Sequence, residues 1–293
     1  MGIDTRRADA GLPLPATAAL PARRLPKRWY AHVILIVAIL ITGFPVYYAA
    51  VVATQSNTQV FNYQLTPSHY LGRNWDLVIH ERQLPRYMVN SVIVALLMTT
   101  GKAALSLLAG MAFVFFRIPG KWIIFGFVLI TLMMPTEVMA IALFRLVGIE
   151  LQWGGYEAMI VPFIASATGS FLFRQHFASI PAELSEAAQI DGANPLQFLW
   201  RVLIPISWNA IAALFVIQFL YAWNQYLWPL MVVHETTLKP VQVGLRTLVS
   251  GTETGDSFGP LMLGAVLASI PPLVVFIALQ KQFMSGFALT RDK

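Results

Sequence analysis

Glu183, Glu186 and Asp191 stand within one polar stretch, Ser179–Pro205 (SIPAELSEAAQIDGANPLQFLWRVLIP), set between long apolar runs. Glu183 and Glu186 are three apart, which puts both carboxylates on one face of a short helix. Ser179 is spaced to cap that helix, and Pro181 sits where a first turn tolerates proline. Gly192 supplies a stop, and Asn194-Pro195 opens a second helix. A short acidic helix fixed at both ends suits docking keyed by charge. An amphipathic helix at the lipid headgroups is disfavoured, because its acids would meet an anionic inner leaflet.

A second set of polar residues lies inside the apolar runs. Lys102 is about equally far from Tyr87 and Phe116, hence near mid-membrane, where a charge costs roughly 2.5–3.5 kcal/mol on an insertion scale. It either gives a pathway a positive site for an anionic, phosphate-bearing substrate or pairs with another chain or a carbonyl. Glu137 is the nearest intramembrane acid by type, but the helical rise sets it more than about 10 Å from Lys102 along the membrane normal. Gln218, Tyr221 and Gln225 follow helical steps and share a face, with Asn224 beside it and Trp228 one turn on. Such a stripe suits a polyol or sugar path, or hydrogen bonding between helices. Pro135 should kink the run that contains it.

The elements that position these residues are membrane spans. Of 293 residues, 57% are hydrophobic and 12% charged, about half the usual charged share, and the apolar residues are blocked into runs. Six runs are long enough to cross a bilayer: Ala31–Ala53, Tyr87–Phe116, Trp122–Leu146, Tyr156–Phe173, Asn209–Val233 and Leu261–Gln280. The expected fold is an all-α integral membrane protein with six transmembrane helices in residues 31–293, behind a disordered basic tail at residues 1–30. The first run is too long for the apolar region of a signal peptide and reads as a retained span.

Six spans put both termini on one side. The tail, the Arg117–Lys121 turn, the Arg174–Trp208 loop and the C-terminal tail hold thirteen of the twenty Lys and Arg residues, and the opposite loops hold six. Both termini and the acidic loop are therefore expected in the cytoplasm. This distribution accounts for the net charge of +6 better than nucleic-acid binding does. Two long outer loops, from about Thr54 to Arg86 and from His234 to Pro260, either meet an external partner or cap the bundle.

Catalytic chemistry finds no support. There is no cysteine, the five histidines are scattered without metal-ligand spacing, and no Walker A motif or nucleophile–base pair occurs. An ion-coupled secondary transporter would lean on inverted repeats and intramembrane acids, whereas Glu137 is the one acid clearly within a span.

Glu186-Ala187-Ala188, three residues, Gly192, nine residues and Val202-x-Ile204-Pro205 resembles the EAA signature of ATP-binding-cassette (ABC) importer permeases. Val202 and Ile204 depart conservatively from the usual Ile and Leu. Ile180-Pro181, Asp191-Gly192-Ala193 and Trp223-Asn224 with Leu227-Trp228-Pro229 are similar to the carbohydrate-uptake, maltose-type family. Narrower stretches, Thr131–Pro135, Ala165–Thr168 with Phe171–Gln175, and Trp223–Leu230, resemble the second permease subunit of sn-glycerol-3-phosphate importers.

The resemblance implies a type I ABC importer permease fold in the inner membrane of a prokaryote. It implies a second homologous permease, two ATPase subunits and an extracytoplasmic substrate-binding protein as partners. ATP and magnesium would sit on the ATPases, leaving no cofactor in this chain. Glu183, Glu186, Ala187, Ala188, Asp191, Gly192 and Pro195 would form the ATPase-coupling surface, with Glu186 meeting a basic side chain, the alanines allowing close approach and Gly192 setting the turn. The implied substrate is sn-glycerol 3-phosphate or a related glycerophosphodiester, with a neutral sugar or oligosaccharide as the alternative.

Overall fold

The computed structural model describes residues 29–249 and 258–288, the side chains at 136, 137 and 285–288 excepted. The N-terminal tail, the Glu137 side chain, most of the Gly251–Gly259 tip and the last C-terminal basic residues lie outside the described residues. Among those described there is no β-strand. The chain divides into two compact units, residues 1–44 and 45–293.

The described part of the first unit belongs to helix α1 (Trp29–Val52). Ile34, Ile39, Leu40 and Phe44 are all exposed on it, so it is apolar all round, the pattern of a helix solvated by lipid.

The second unit continues α1 and adds α2 (Asn57–Phe61), α3 (Leu71–Asp76), α4 (Leu84–Phe115), α5 (Lys121–Leu132) and α6 (Thr136–Phe144). Then come α7 (Tyr156–Ile160), α8 (Ala167–Ala178), α9 (Ala182–Ile190), α10 (Pro195–Phe198) and α11 (Ile204–Ile206). The last four are α12 (Trp208–Trp223), α13 (Leu227–Val232), α14 (Val241–Val249) and α15 (Phe258–Ala288). Among the described residues four segments are long and apolar enough to cross a bilayer: Trp29–Val52, Leu84–Phe115, Tyr156–Ala178 and Phe258–Met284. A fifth is reached if the pair Pro195–Ile206 and Trp208–Trp223, bent by 82°, is one span.

Three of the six apolar runs are broken where uniform hydropathy gives no sign of it. The expected kink at Pro135 is a full interruption. Helix α5 ends at Leu132, and Pro135, extended at φ −64° and ψ 129°, precedes α6. Proline has no N–H to continue the ladder and disfavours the helical conformation of the residue before it. The fourth run passes from α7 through a 3-10 turn at Val161–Phe163 to α8, where Ser166 Oγ accepts the N–H of Gly169 at 3.0 Å. The fifth stops at Trp223, because Asn224 Nδ2 donates to the carbonyl of Leu220 at 2.9 Å.

Helix α4 is the axis of this unit, packed on α8 and α12, with α12 in turn on α15. Gly101 faces Ile164, Gly169 faces Ser106 and Gly110 faces Phe173, so α4 and α8 run in the same direction. A Cβ on Gly110 would stand 2.6 Å from the Phe173 Cβ and 2.9 Å from its backbone carbon. Gly110→Ala should therefore push two long helices apart at a cost of about 1–3 kcal/mol, read as a lower unfolding midpoint of the detergent-solubilised chain.

The apolar interior forms two clusters. One surrounds Phe219, Trp223 and Trp228 towards the α13 end. The other joins Leu107, Met111, Phe173 and Phe177 to Phe198, Leu199 and Leu203 of the acidic loop's second helix. Phe115 meets Phe198 edge-on at 5.2 Å. The loop's second helix is thus anchored in the same core as α4 and α8.

Candidate coupling loop and translocation-path residues

Ser179 completes α8 instead of capping α9. Its Oγ donates to the carbonyl of His176 at 2.7 Å, and the residue before α9 is Pro181, which offers no side-chain cap. A hydroxyl two residues ahead of a proline turn finds the exposed carbonyls of the preceding helix first. Glu183 in the first turn of α9 favours the positive end of its dipole.

The stop at Gly192 follows its sequence signal. Its φ is +72°, the Gly192 N–H reaches the Gln189 carbonyl at 3.1 Å, and the Ala193 N–H reaches the Ala188 carbonyl at 2.9 Å. This is a Schellman closure, in which a residue without Cβ takes the left-handed conformation at no steric cost. Asn194 and Gln197 then form a reciprocal capping box at 2.8 and 2.9 Å, with Pro195 at the first helical position. The second helix continues through a π turn at Leu199–Leu203 to α11.

These closures present Glu183, Glu186, Ala187, Asp191, Gly192 and Pro195 as exposed residues, whereas Ala188 packs inward on the loop's apolar cluster. Among the described residues the three acids make no ion pair. Large apolar side chains stand beside them: Ile190 is 86% exposed, Trp200 69% and Leu196 58%. Sequence reasoning passed over these three, although an isoleucine directly before the Asp-Gly stop was a readable signal. Depressions of about 260 and 350 Å3 flank Ala188 and Phe198. An exposed surface of acids and large apolar groups on a rigid base can engage a basic and apolar partner.

Of the intramembrane residues, the structure brings Lys102, Gln218 and Tyr221 together. Lys102 is 6% exposed, its Nζ donates to Gln218 Oε1 at 2.9 Å, and it lies 4.4 Å from the centre of the Tyr221 ring. Gln218, also buried, points its amide nitrogen at Ser166 Oγ at 3.5 Å. The ammonium is held by a carbonyl oxygen and an aromatic face. Tyr221 is itself 37% exposed, in contrast to the buried lysine it meets.

The stripe expected to run on to Trp228 ends at Tyr221, because α12 stops at Trp223. Asn224 caps the helix end and accepts from Gln242 at 3.4 Å. Gln225 borders a cavity of about 10 Å3, space for about one water. Trp228 is buried in the main core, its Nε1 donating to the Ala158 carbonyl at 2.9 Å.

The segments around residues 53–74 and 237–241 are held in place through side chains. Gln55 Nε2 donates to the carbonyls of Gln64 and Thr66, both at 2.8 Å, and Asn74 to those of Ala53 and Gln55. Asn90 donates to the carbonyls of Thr237 and Lys239, and Ser91 Oγ accepts from Val241 N at 2.7 Å.

Residues 102–287 match the family described as binding-protein-dependent transport system inner membrane component. The sn-glycerol-3-phosphate transport system permease protein UgpE of Brucella melitensis biotype 1 is 38% identical over 268 residues, 88% of this chain and 95% of that protein. In fold, the chain is similar to one in the crystal structure of a bacterial ABC transporter involved in the import of the acidic polysaccharide alginate. The TM-score is 0.75 at 22% identity, over 87% of this chain and 96% of that one. The bacterial alginate ABC transporter in complex with an alginate pentasaccharide-bound periplasmic protein aligns at a TM-score of 0.59 and 14% identity, over 86% and 93%. The motif resemblance is thereby borne out: this chain belongs to the family of inner membrane components of binding-protein-dependent transport systems.

Proposed function

We propose that the chain is one of two permease subunits of an ATP-driven, binding-protein-dependent importer for sn-glycerol 3-phosphate or a related glycerophosphodiester. The observation that carries this reading is the 38% identity to a sn-glycerol-3-phosphate permease along nearly the whole of both chains. The exposed acidic loop, rooted in the core of α4 and α8, supports it mechanically.

In this reading the chain crosses the membrane six times, with the broken segment α5–α6 and the segment α12–α13 as the third and fifth crossings. The common direction of α4 and α8 agrees with such alternation. Both termini and the acidic loop face the cytoplasm, where each of two permeases rests on one ATPase subunit. Those subunits bind ATP and magnesium and perform the hydrolysis, and this chain is not an enzyme. A binding protein delivers substrate at the outer loops. Closure of the ATPases drives alternating access through the loop.

Proteoliposomes holding both permeases, the ATPases and the binding protein should accumulate glycerol 3-phosphate when ATP is supplied, and should not accumulate a neutral oligosaccharide. Accumulation of the neutral sugar instead would overturn the substrate class. Orientation is checked separately, since the chain contains no cysteine. Ala182→Cys should react with a membrane-impermeant maleimide only in inside-out vesicles, and Thr58→Cys only from the outer side.

A further inference from the structure

The start of α5 gathers positive charge around an exposed indole. Arg174 on α8 places its guanidinium 5.0 Å from the centre of the Trp122 ring and 4.9 Å from that of Phe125, and Lys121 Nζ lies 5.7 Å from the same indole. Lys121 also donates to the carbonyl of Phe113 at 3.3 Å. Among the described residues neither cation has a carboxylate partner. Two cations 5.0 and 5.7 Å from one ring centre repel each other, and an anion beside them relieves that repulsion.

The surface running from this cluster is apolar. Ile123, Phe127 and Ile130 follow steps of four and three along α5 and are 81%, 66% and 62% exposed. They form one outward stripe headed by Trp122, itself 63% exposed. A positive, aromatic head above a continuous apolar stripe matches an amphiphile with an anionic head and acyl tails.

We infer that Arg174, Lys121 and Trp122 bind the headgroup phosphate of an anionic phospholipid, whose acyl chain lies along Ile123, Phe127 and Ile130. The site goes beyond the transport reading and takes from it only the orientation, which puts this end of α5 at the anionic inner leaflet. The guanidinium, stacked on two rings, is held ready for a phosphate oxygen, and the indole sits at headgroup depth as interfacial tryptophans do. Such a lipid would brace the start of α5 against α8.

Native mass spectrometry of the full-length chain tests this with dioleoyl phosphatidylglycerol against dioleoyl phosphatidylcholine, which share their tails. Retention of phosphatidylglycerol should exceed that of phosphatidylcholine by roughly thirtyfold, about fivefold for each of two cations. Arg174→Gln with Lys121→Gln should abolish the preference. If that double variant does not fold, Lys121→Gln alone, at the first position of α5, should reduce it about fivefold. Equal retention of the two lipids, or an unchanged preference in the folded variants, would overturn the inference. Displacement of the lipid by excess inorganic phosphate would overturn it by making the site one for soluble anions. Loss of the preference on assembly with the second permease would overturn it by giving the face to that subunit. None of these outcomes bears on the cysteine-labelling result, so failure of the lipid site and failure of the orientation are told apart.

Discussion

Glu186→Arg should strip the permease of the ATPase subunit proposed to dock there and reduce substrate uptake by roughly thirtyfold or more. The side chain is exposed on α9 and makes no contact that folding needs, so its substitution should leave the isolated chain's stability unchanged. The surroundings are fixed: Gly192 closes α9, the Asn194–Gln197 box opens the next helix, and Phe198 is buried with α4 and α8. Reversing the charge therefore changes the surface proposed to dock and little else. Removing one member of a buried interfacial charge pair costs about 2–5 kcal/mol, and reversal adds repulsion. Co-purification of the ATPase with the tagged permease is the measurement, and Glu186→Gln should fall between wild type and Glu186→Arg. Retention of the ATPase at its normal ratio in Glu186→Arg would show that this carboxylate does not key the contact.

The second large effect is expected at Lys102, where a path role and a structural role predict different outcomes. Lys102→Met removes the intramembrane cation but also leaves Gln218 Oε1 buried without its donor, which costs about 1–3 kcal/mol of stability. Adding Gln218→Leu removes the orphaned acceptor, and an apolar pair in place of a buried polar one is often neutral or stabilising. A structural lysine would then be dispensable, and the double variant would transport normally. A lysine that meets an anionic substrate beneath Tyr221 would not be. In that case the double variant should fold as well as wild type yet take up glycerol 3-phosphate at least about tenfold more slowly, the effect of about 1.4 kcal/mol in the path. Uptake at the wild-type rate in the stable double variant would assign Lys102 to packing alone. Tyr221→Ala, which removes the aromatic face from the ammonium, should alter uptake and also cost about 0.5–2 kcal/mol of stability, the worth of one cation–π contact.

Helical membrane architecture, the family and the helix-stop-helix shape of the acidic loop were legible in the sequence because each is carried by local chemistry. Long apolar runs must satisfy their own backbone in lipid and so become helices. The Gly192 stop and the Asn194-Pro195 start act within a few residues, and the structure contains both. Where two local signals competed, the reading went astray: Ser179 bonds backward to α8, because the bare carbonyls of a finished helix lie closer than the next helix's amides.

What the tertiary structure decided is which of the polar residues meet. Lys102 and Gln218 are far apart in sequence, and only the crossing of α4 over α12 makes them partners. The same crossing places Tyr221 over the ammonium and leaves Trp228 in the core, although helical spacing had put them on one stripe. The interruptions at Ser166 and Asn224 were missed for a local reason instead, and the one at Pro135 goes further than the kink expected there. A hydropathy run records how apolar a segment is, whereas a break depends on a single capping hydrogen bond or one missing N–H. For the acidic loop of the opening lines, the sequence determined its shape and its charge. The tertiary structure decided that its second helix, through Phe198, Leu199 and Leu203, is rooted in the core it would have to move.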